Sequence, residues 1–457
     1  MRPSGSVLSG LKLIFAFFSP SAQVQRHPFL PMTLLLLLTL LTACGTKGDT
    51  QLNSIAERYV RAALALDRHD PGFVDAYYGP AAWREAAEEA GSLEDLQEEV
   101  ATLRHQLAEL DTLLPRVEFL GGQLQALDLR IRLVQGASIP FAEEVEGLFG
   151  FTPVRYPEER FESVHQRLDQ LLPGGEPLAE RMHRYDQRFL VPTARILSLF
   201  EEAAAECRRR TRDLVPLPEE EQVNLTLVSD KPWGAYNWYQ GGAVSNIEIN
   251  TDLPRRANTI LHYVAHEAYP GHHTELTLRD RLLAGEEDWP EYFVYPLYSP
   301  QSHVSEGGAD LGIELIFTAE EIAAFYDRTV LPAAGIEDVD VPQMLEIMRL
   351  RSELDHAAEN AAFLLFEDGV EEREAVEYLE RWALMTRDEA AKRIEFIQAY
   401  RGYVFNYRTG YELVKAYVTG GEASLQAQRQ RFRHIWTTPV TPDMLLRWTA
   451  SAPQDPS

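Results

Sequence analysis

Apolar residues recur every three or four positions through most of the chain, which predicts a mainly helical protein. The pattern is clearest from Leu52 to about Leu214, in the segments IAERYVRAALALD, LEDLQEEVATLRHQLAELDTLL, FESVHQRLDQLL and VPTARILSLFEEAAAECRRRTRDL. Helix-breaking residues separate these segments at Asp70-Pro71-Gly72, Gly121-Gly122 and Pro173-Gly174-Gly175. We expect these helices to form a packed scaffold.

The pattern changes after the proline- and glutamate-rich stretch 215–221. The segments NLTLVSD and YNWYQGGAVSNIEINTD combine β-branched and aromatic residues with turn glycines, which predicts strands. An apolar stripe from Ala257 to Ala268 then predicts a buried helix that ends at Tyr269, before Pro270. Helical patterns continue from Ser305 onward. We therefore predict a mainly α fold with a helical region at 44–222 and a second region at 223–457, in which a small sheet adjoins the buried helix.

The N-terminal stretch has the pattern of a targeting segment. Twelve mostly apolar residues from Met32 to Ala43 are too few to span a bilayer but fit the core of a signal peptide. Leu41-Thr42-Ala43-Cys44-Gly45 resembles the bacterial lipobox. We predict a lipoprotein signal peptide at 1–43, lipidation of Cys44, and a cell-envelope protein held on the non-cytoplasmic side of a membrane by that lipid alone. An ordinary secretory signal, or a true start at Met32, are the alternatives.

Charge and cysteine content narrow the possible partners. The chain has 43 basic and 70 acidic residues and a net charge of −27, which argues against nucleic acid and against an anionic membrane surface as partners. Lipidation of Cys44 would leave Cys207 without a cysteine with which to form an intrachain disulfide.

The densest chemistry lies in His266-Glu267-Ala-Tyr-Pro-Gly-His272-His273. A hydrolytic zinc site needs imidazole ligands, usually a carboxylate ligand, and a further glutamate that accepts a proton from water. The position four residues after His266 is a proline, so His272 can share an ion with His266 only if the helix opens near Pro270-Gly271. His273 would lie roughly 10 Å along a straight helix from His266, so we place it beside the ligands rather than among them.

Other residues could complete or compete for this site. His262 and His266 are four apart and form an alternative pair that needs no break in the helix. Glu306 and Asp310 are also four apart, on one face of a predicted helix. We predict Glu306 as the third ligand and Asp310 as the carboxylate that orients a ligand histidine.

The eight-residue motif, with the later Glu306-Gly-Gly-Ala, resembles the HExxPGHH and EGWA signatures of the bacterial domain-of-unknown-function 885 family. That family is similar to the gluzincin, or thermolysin-like, metallopeptidases. The resemblance covers roughly Trp233 to the C-terminus and implies a gluzincin-like catalytic region. It implies one Zn²⁺ ion held by His266, His272 and Glu306, with Glu267 as the general base and Asp310 behind a ligand. Gly308 stands where the family usually has tryptophan, and Phe366-Glu367 replace a DtGLH-like segment, which bears on substrate choice.

Two further expectations follow from this resemblance. The stretch from Gly402 to Tyr411 resembles the family's sYkiG segment, which makes Tyr407 and Arg408 candidate catalytic residues that stabilise an oxyanion. The predicted strand Ser245–Asn250 corresponds to the edge strand on which gluzincins bind substrate.

The sequence therefore predicts a zinc-dependent hydrolase, most simply a peptidase that acts on a peptide or a small amide. One alternative is a metal-dependent amidase or esterase that acts on a small or cell-wall substrate. The other is a non-catalytic envelope lipoprotein with a structural metal.

Overall fold

A computed structural model describes residues 31–451 except 90, 111–113 and 422, and it describes side chains from residue 50 onward. The predicted signal peptide at 1–43 and the lipidation site Cys44 lie outside the residues whose side chains are described. Within the described part, no helix combines the length and apolar character needed to cross a bilayer. Contacts divide the chain into residues 1–50 and a compact unit of residues 51–457.

The first half of the chain is helical, as predicted. Its helices are α1 (Pro31–His69), α2 (Ala81–Ala87), α3 (Leu93–Ala108), α4 (Pro115–Val134), α5 (Phe141–Phe149), α6 (Glu158–Leu171), α7 (Leu178–Asp186) and α8 (Thr193–Leu214), with a 3₁₀ turn at Gln187–Phe189. Apolar spacing explains which faces are buried. In α8, for example, Ile196, Leu199 and Phe200 pack into the core.

Two small sheets accompany these helices. Strand β1 (Val74–Tyr77) pairs antiparallel with β5 (Val294–Pro296), and neither strand was predicted. The predicted strand region forms β2 (Gln222–Val228), β3 (Ala235–Tyr239) and β4 (Val244–Asn250), in the order β2-β4-β3. Strand β4 is therefore central, and the prediction that Ser245–Asn250 forms the substrate-binding edge strand is wrong. Because β2 pairs parallel to β4 on the side opposite β3, both edges of β4 are occupied.

Helices make up most of the second half as well. They are α9 (Ala257–Glu267), α10 (His272–Leu278), α11 (Pro300–Ile316), α12 (Ala319–Phe325), α13 (Leu331–Ala334), α14 (Val341–Glu353), α15 (His356–Phe363), α16 (Glu372–Trp382), α17 (Arg387–Tyr400), α18 (Phe405–Thr419), α19 (Leu425–Thr437) and α20 (Pro442–Ser451). Short π-helical segments lie at Arg279–Glu286, Tyr326–Val330 and Leu364–Asp368, and 3₁₀ turns lie at Pro290–Phe293 and Arg401–Val404. The predicted mainly α fold, with a small sheet beside the helix that carries His266, is confirmed.

Helix α11 is the buried centre of the second half, and it packs closely against α18. Glycine permits this close contact, because a Cβ atom at Gly307 would lie 2.2 Å from the carbonyl oxygen of Gly410. Residues before and after position 222 contribute to one continuous core. The division at 222 that the sequence predicts stays a prediction.

Candidate metal centre

The helix that carries His266 ends before Pro270, as the sequence predicts, but two residues earlier than the predicted Tyr269. Helix α9 ends at Glu267, and α10 begins at His272, after the Pro270-Gly271 step. The Gly271 amide donates to the carbonyl of Ala265 at 2.8 Å. A Cβ atom on Gly271 would lie 1.7 Å from the carbonyl oxygen of His266, so only glycine fits at this close approach. The break places the start of α10 directly against the end of α9.

Three predicted ligand side chains converge across this break. The Nε2 atoms of His266 and His272 lie 3.2 Å apart. The Glu306 carboxylate on α11 lies 3.2 Å from His266 Nε2 through Oε2 and 3.4 Å from His272 Nε2 through Oε1. Zinc–ligand bonds of about 2.0–2.1 Å at tetrahedral angles put neighbouring ligand atoms roughly 3.3–3.4 Å apart. The three separations are of that size, although Glu306 presents a different oxygen to each imidazole.

The hydrogen bonds of the two imidazoles leave lone pairs facing each other. His266 Nδ1 lies 2.8 Å from Asp310 Oδ1, and since a carboxylate only accepts, Nδ1 carries the proton. Ser305 Oγ donates to Glu275 and accepts from His272 Nδ1 at 3.3 Å. When both rings are neutral, as metal binding requires, both Nε2 atoms present lone pairs to the same space. A bound cation would relieve their repulsion.

Glu306 adds a second indication that a cation belongs here. Its Oε2 atom is buried and has no hydrogen-bond partner among the described residues, whereas Oε1 accepts from the Tyr403 hydroxyl at 2.7 Å. An unpaired buried carboxylate oxygen is costly, and a metal ion would satisfy it. Two imidazole nitrogens and a carboxylate oxygen form a donor set that suits zinc. The residues present therefore fit the predicted metal.

Electrostatic coupling within the cluster is strong. Burial lowers the pKa of His272, but Glu306 and Glu275 outweigh it and raise the pKa to about 10. Burial raises the pKa of Glu306, but the imidazoles of His272 and His266 bring it well below its usual range. Glu306 is therefore ionised at neutral pH, as a metal-binding carboxylate must be.

Glu267 faces a cavity that opens beside the triad. The cavity has a volume of about 60 Å³, several times the roughly 10–15 Å³ that one water needs, and it is lined by His266, His272, Glu306 and Glu267 together with aromatic side chains. Burial raises the pKa of Glu267, while the neighbouring imidazoles lower it, with a net increase. Asn237 on β3 donates to the carbonyl oxygen of Glu267 at 2.7 Å, which fixes the end of α9 relative to the sheet.

The supporting residues are partly those predicted. Asp310 contacts a ligand histidine, as the sequence indicates. Glu275 and Ser305, which position His272, were not predicted, and no spacing in the sequence points to them. Glu275 is in turn paired with the buried Arg279 at 3.0 Å.

The two candidate residues on α18 have different surroundings. Tyr407 lines the cavity, and its ring centroid lies 6.1 Å from that of His266. Arg408 does not line the cavity; it pairs with Glu412 at 3.1 Å. The structure gives the predicted catalytic role of Arg408 no support, because adjacent residues on a helix point about 100° apart and, of these two, Tyr407 is the one that faces the cavity. The sequence analysis missed Tyr403, whose hydroxyl contacts Glu306 directly.

His273 also lies elsewhere than predicted. It follows His272 on α10, so its ring points to another side of the helix. Its Nδ1 atom contacts Ser245 Oγ at 2.8 Å, and its Nε2 atom contacts Glu221 at 3.2 Å. Among the described residues, its ring nitrogens form no hydrogen bond with a predicted ligand. His273 therefore joins α10 to the sheet and does not support the metal centre directly.

The alternative pair of His262 and His266 remains geometrically possible. His262, His266 and Asp310 form a second group that could hold a metal ion, with His262 exposed. His262 Nε2 lies 3.5 Å from Asp310 Oδ1, the same oxygen that accepts from His266 Nδ1. A metal in this group would have to displace that hydrogen bond. A metal held by His266, His272 and Glu306 would leave the hydrogen bond between His266 and Asp310 intact.

Gly308 is the position at which the family that the sequence resembles usually has tryptophan. A Cβ atom on Gly308 would lie 3.2 Å from Nε1 of Trp436 on α19, whose side chain is fully buried. Trp436 therefore supplies an indole beside this position from a different helix.

Comparisons with known proteins give distant likenesses. No family model matches the chain, and no curated protein matches it. One similar solved structure is a protein described as a lipoprotein from Colwellia psychrerythraea, with 14% identity, a TM-score of 0.49, and coverage of 79% of this chain and 67% of that one. Another is the M32 carboxypeptidase from Deinococcus radiodurans R1, with 14% identity, a TM-score of 0.38, and coverage of 89% and 95%. Neither likeness is close enough to assign a function, so the site must be interpreted from its own geometry.

Proposed function

We propose that this chain is a zinc-dependent hydrolase that cleaves peptide bonds. The observation that carries the proposal is the convergence of His266 Nε2, His272 Nε2 and the Glu306 carboxylate within 3.2–3.4 Å, beside a cavity that also contains Glu267. In this proposal, these three side chains hold one ion. Zinc bound there supplies Lewis acidity toward a substrate carbonyl and lowers the pKa of water.

The protein groups around the ion have separate tasks. Glu267 accepts a proton from a water molecule in the cavity and delivers it to the leaving nitrogen. The raised pKa of the Glu267 carboxyl, which burial causes, suits a group that must both take and release a proton. The Tyr407 hydroxyl, on the cavity wall, donates to the oxyanion that develops on the substrate carbonyl.

The remaining groups keep the imidazoles in their working orientation. Asp310 holds the proton of His266 on Nδ1, and Ser305 with Glu275 does the same for His272. Strand β3 lies at the edge of its sheet and contributes cavity residues 235–237, so its main chain is available to an extended peptide. Cell-envelope anchoring through Cys44 remains part of the proposal.

The direct test is Glu267→Gln. The variant should retain one zinc per chain and lose at least about a hundredfold in kcat, which is the low end for a positioned acid–base group. Glu287→Gln, which alters an exposed acid outside the cavity, is the matched control and should leave both quantities unchanged. Cleavage of a peptide library would be measured by mass spectrometry. The same measurement would be repeated after zinc is removed with a chelator and again after zinc is restored.

The result also separates the alternatives. Chelator-sensitive cleavage of esters or small amides, without peptide cleavage, would replace peptidase by amidase or esterase. Stoichiometric zinc with no hydrolysis of any substrate would instead favour a structural metal.

A further inference from the structure

Asp75 is a carboxylate on the cavity wall that forms no ion pair with a lysine or arginine among the described residues. It lies on β1, is partly buried, and lines the same cavity as Glu267. The Tyr236 hydroxyl donates to its Oδ1 atom, and none of the described residues donates to its Oδ2 atom. Burial raises the pKa of Asp75 to about 6, against the lowering effect of Tyr236, so Asp75 is largely ionised at neutral pH.

Two fully buried acids of this chain, Glu144 and Glu291, each have an arginine partner. Glu144 lies 2.8 Å from Arg401, and Glu291 lies 2.6 Å from Arg116. A buried charge without such a partner costs free energy. That cost is offset if the missing cation arrives with a ligand. Asp75 has the position and the open acceptor atom for such a contact.

Aromatic rings surround this part of the cavity. The ring centroids of Trp233 and Tyr236 are 5.2 Å apart, and those of Phe396 and Tyr400 are 4.8 Å apart. All four side chains line the cavity. Burial first, and the charge of Asp75 second, raise the pKa of Tyr400. Faces of tyrosine, tryptophan and phenylalanine attract ammonium groups through their quadrupoles.

The charged groups of the cavity wall also favour a cationic ligand. They are the carboxylates of Asp75, Glu267 and Glu306 and the imidazoles of His266 and His272, and the described lining contains no lysine or arginine. The imidazoles and Glu306 are occupied in holding the ion under the proposed function. Asp75 and the rings around it are left to face the substrate.

We propose that Asp75 and the aromatic rings around it bind a primary ammonium group of the substrate while the neighbouring amide is hydrolysed. This inference rests on the proposed function and adds a substrate class to it. The ammonium group has two possible sources, the free N-terminus of a peptide or a lysine side chain. The N-terminal amine would make the protein an aminopeptidase, and the lysine would make it selective for basic residues.

Matched peptides test this proposal on the zinc-loaded full chain. One four-residue peptide of alanine and phenylalanine would be compared with its N-acetylated form, its C-terminal amide, and an acetylated form that contains lysine. A charge-assisted hydrogen bond of about 1.5–3 kcal/mol corresponds to a roughly 10- to 100-fold change. We expect acetylation to lower kcat/KM by that factor and amidation to leave it unchanged. Recovery by lysine would identify the side-chain amine as the source.

The variant Asp75→Asn keeps the shape of the side chain and removes its charge. It should lower kcat/KM for the free-amine peptide by a larger factor than for the acetylated peptide, and an unchanged zinc content and unfolding free energy would show that the variant is folded. Equal cleavage of the free peptide, the acetylated peptide and the acetylated peptide that contains lysine by the unmodified protein, or a requirement for the free C-terminus, would overturn the proposal.

A binding measurement keeps this test separate from the proposed function. In zinc-loaded Glu267→Gln, calorimetry should show the free-amine peptide binding about 10- to 100-fold more tightly than the acetylated one, whether or not the unmodified protein cleaves peptides. Amine-selective binding without any cleavage would refute the peptidase and retain the ammonium site. Equal affinities for these two peptides and for the acetylated peptide that contains lysine would refute the ammonium site.

Discussion

Gly271→Ala is the substitution with the clearest expected effect on the metal centre. The added Cβ atom would lie 1.7 Å from the carbonyl oxygen of His266, 2.4 Å from its carbonyl carbon and 2.5 Å from the carbonyl oxygen of Ala265. All three are backbone atoms, so no side-chain rotation can relieve the overlap. Helices α9 and α10 must instead separate by more than about 1 Å to reach an ordinary contact distance.

A displacement of that size has two measurable consequences. Overpacking typically costs about 1–3 kcal/mol of unfolding free energy, and we expect at least that loss here. Metal sites tolerate only about 0.2 Å of error in ligand distances, so moving His272 by about 1 Å should abolish stoichiometric zinc binding. His266, Glu267 and Glu306 remain chemically intact, so the loss would be one of geometry.

The assay combines urea unfolding with metal analysis. Unfolding should be measured in the presence of a chelator, because bound metal would itself add to stability. Gly121→Ala is the matched control, since that glycine lies within α4 and its Cβ atom would be 3.8 Å from the nearest side-chain atom, Leu107 Cδ2. The unfolding free energy of Gly121→Ala should rise by about 0.5–1 kcal/mol. If Gly271→Ala were as stable as the unmodified protein and still bound one zinc, the geometric reasoning would be refuted.

The remaining predictions concern residues that support the site or the scaffold. Asp310→Ala should weaken zinc binding by about 10- to 100-fold, measured by chelator competition, and an unchanged affinity would remove its assigned role. Tyr403→Phe should lower the unfolding free energy of metal-free protein by about 1.5–3 kcal/mol, because Glu306 loses a charge-assisted hydrogen bond; urea titration at pH 7 would show whether it does. Burial lowers the pKa of His356, but Glu359 and Glu412 outweigh it and raise the pKa above 6.5. The stability that protonated His356 contributes is fully present below pH 6.5 and is lost as pH rises through the folded-state pKa. His356→Gln lacks this contribution at every pH. The difference in unfolding free energy between the unmodified protein and the variant should therefore shrink from pH 6 to pH 9. A difference that stays constant over this range would contradict that assignment.

The sequence was most informative where the chemistry is local. His266, Glu267 and His272 lie within one short motif, and the proline at the position that would otherwise continue the helix indicates where the backbone must open. Glu306 and Asp310 are recognisable as a pair because helical spacing puts them on one face. These predictions needed helix geometry and the chemistry of zinc ligands.

Other parts of the site depend on packing between distant segments. Asp75 and Tyr403 reach the cavity from β1 and from the 3₁₀ turn before α18, and nothing in their local sequence indicates that they meet. Arg408 was expected at the site beside Tyr407 but does not line the cavity, because a motif gives the identity of neighbouring residues but not the rotation of their helix. The order of the strands in the sheet is likewise set by pairing and not by the pattern within one strand, which is why β4 was assigned to an edge.

The central claim is that two imidazoles from opposite sides of the Pro270-Gly271 break bind one ion. X-ray absorption at the zinc edge, on zinc-loaded protein, tests it most directly. We predict one ion per chain with two imidazole nitrogens and carboxylate oxygen at about 2.0–2.1 Å. Stoichiometric zinc should be lost in His272→Ala, whereas His262→Ala should keep one zinc with both imidazoles. Loss of an imidazole in His262→Ala with none lost in His272→Ala, or the absence of bound zinc, would contradict the account.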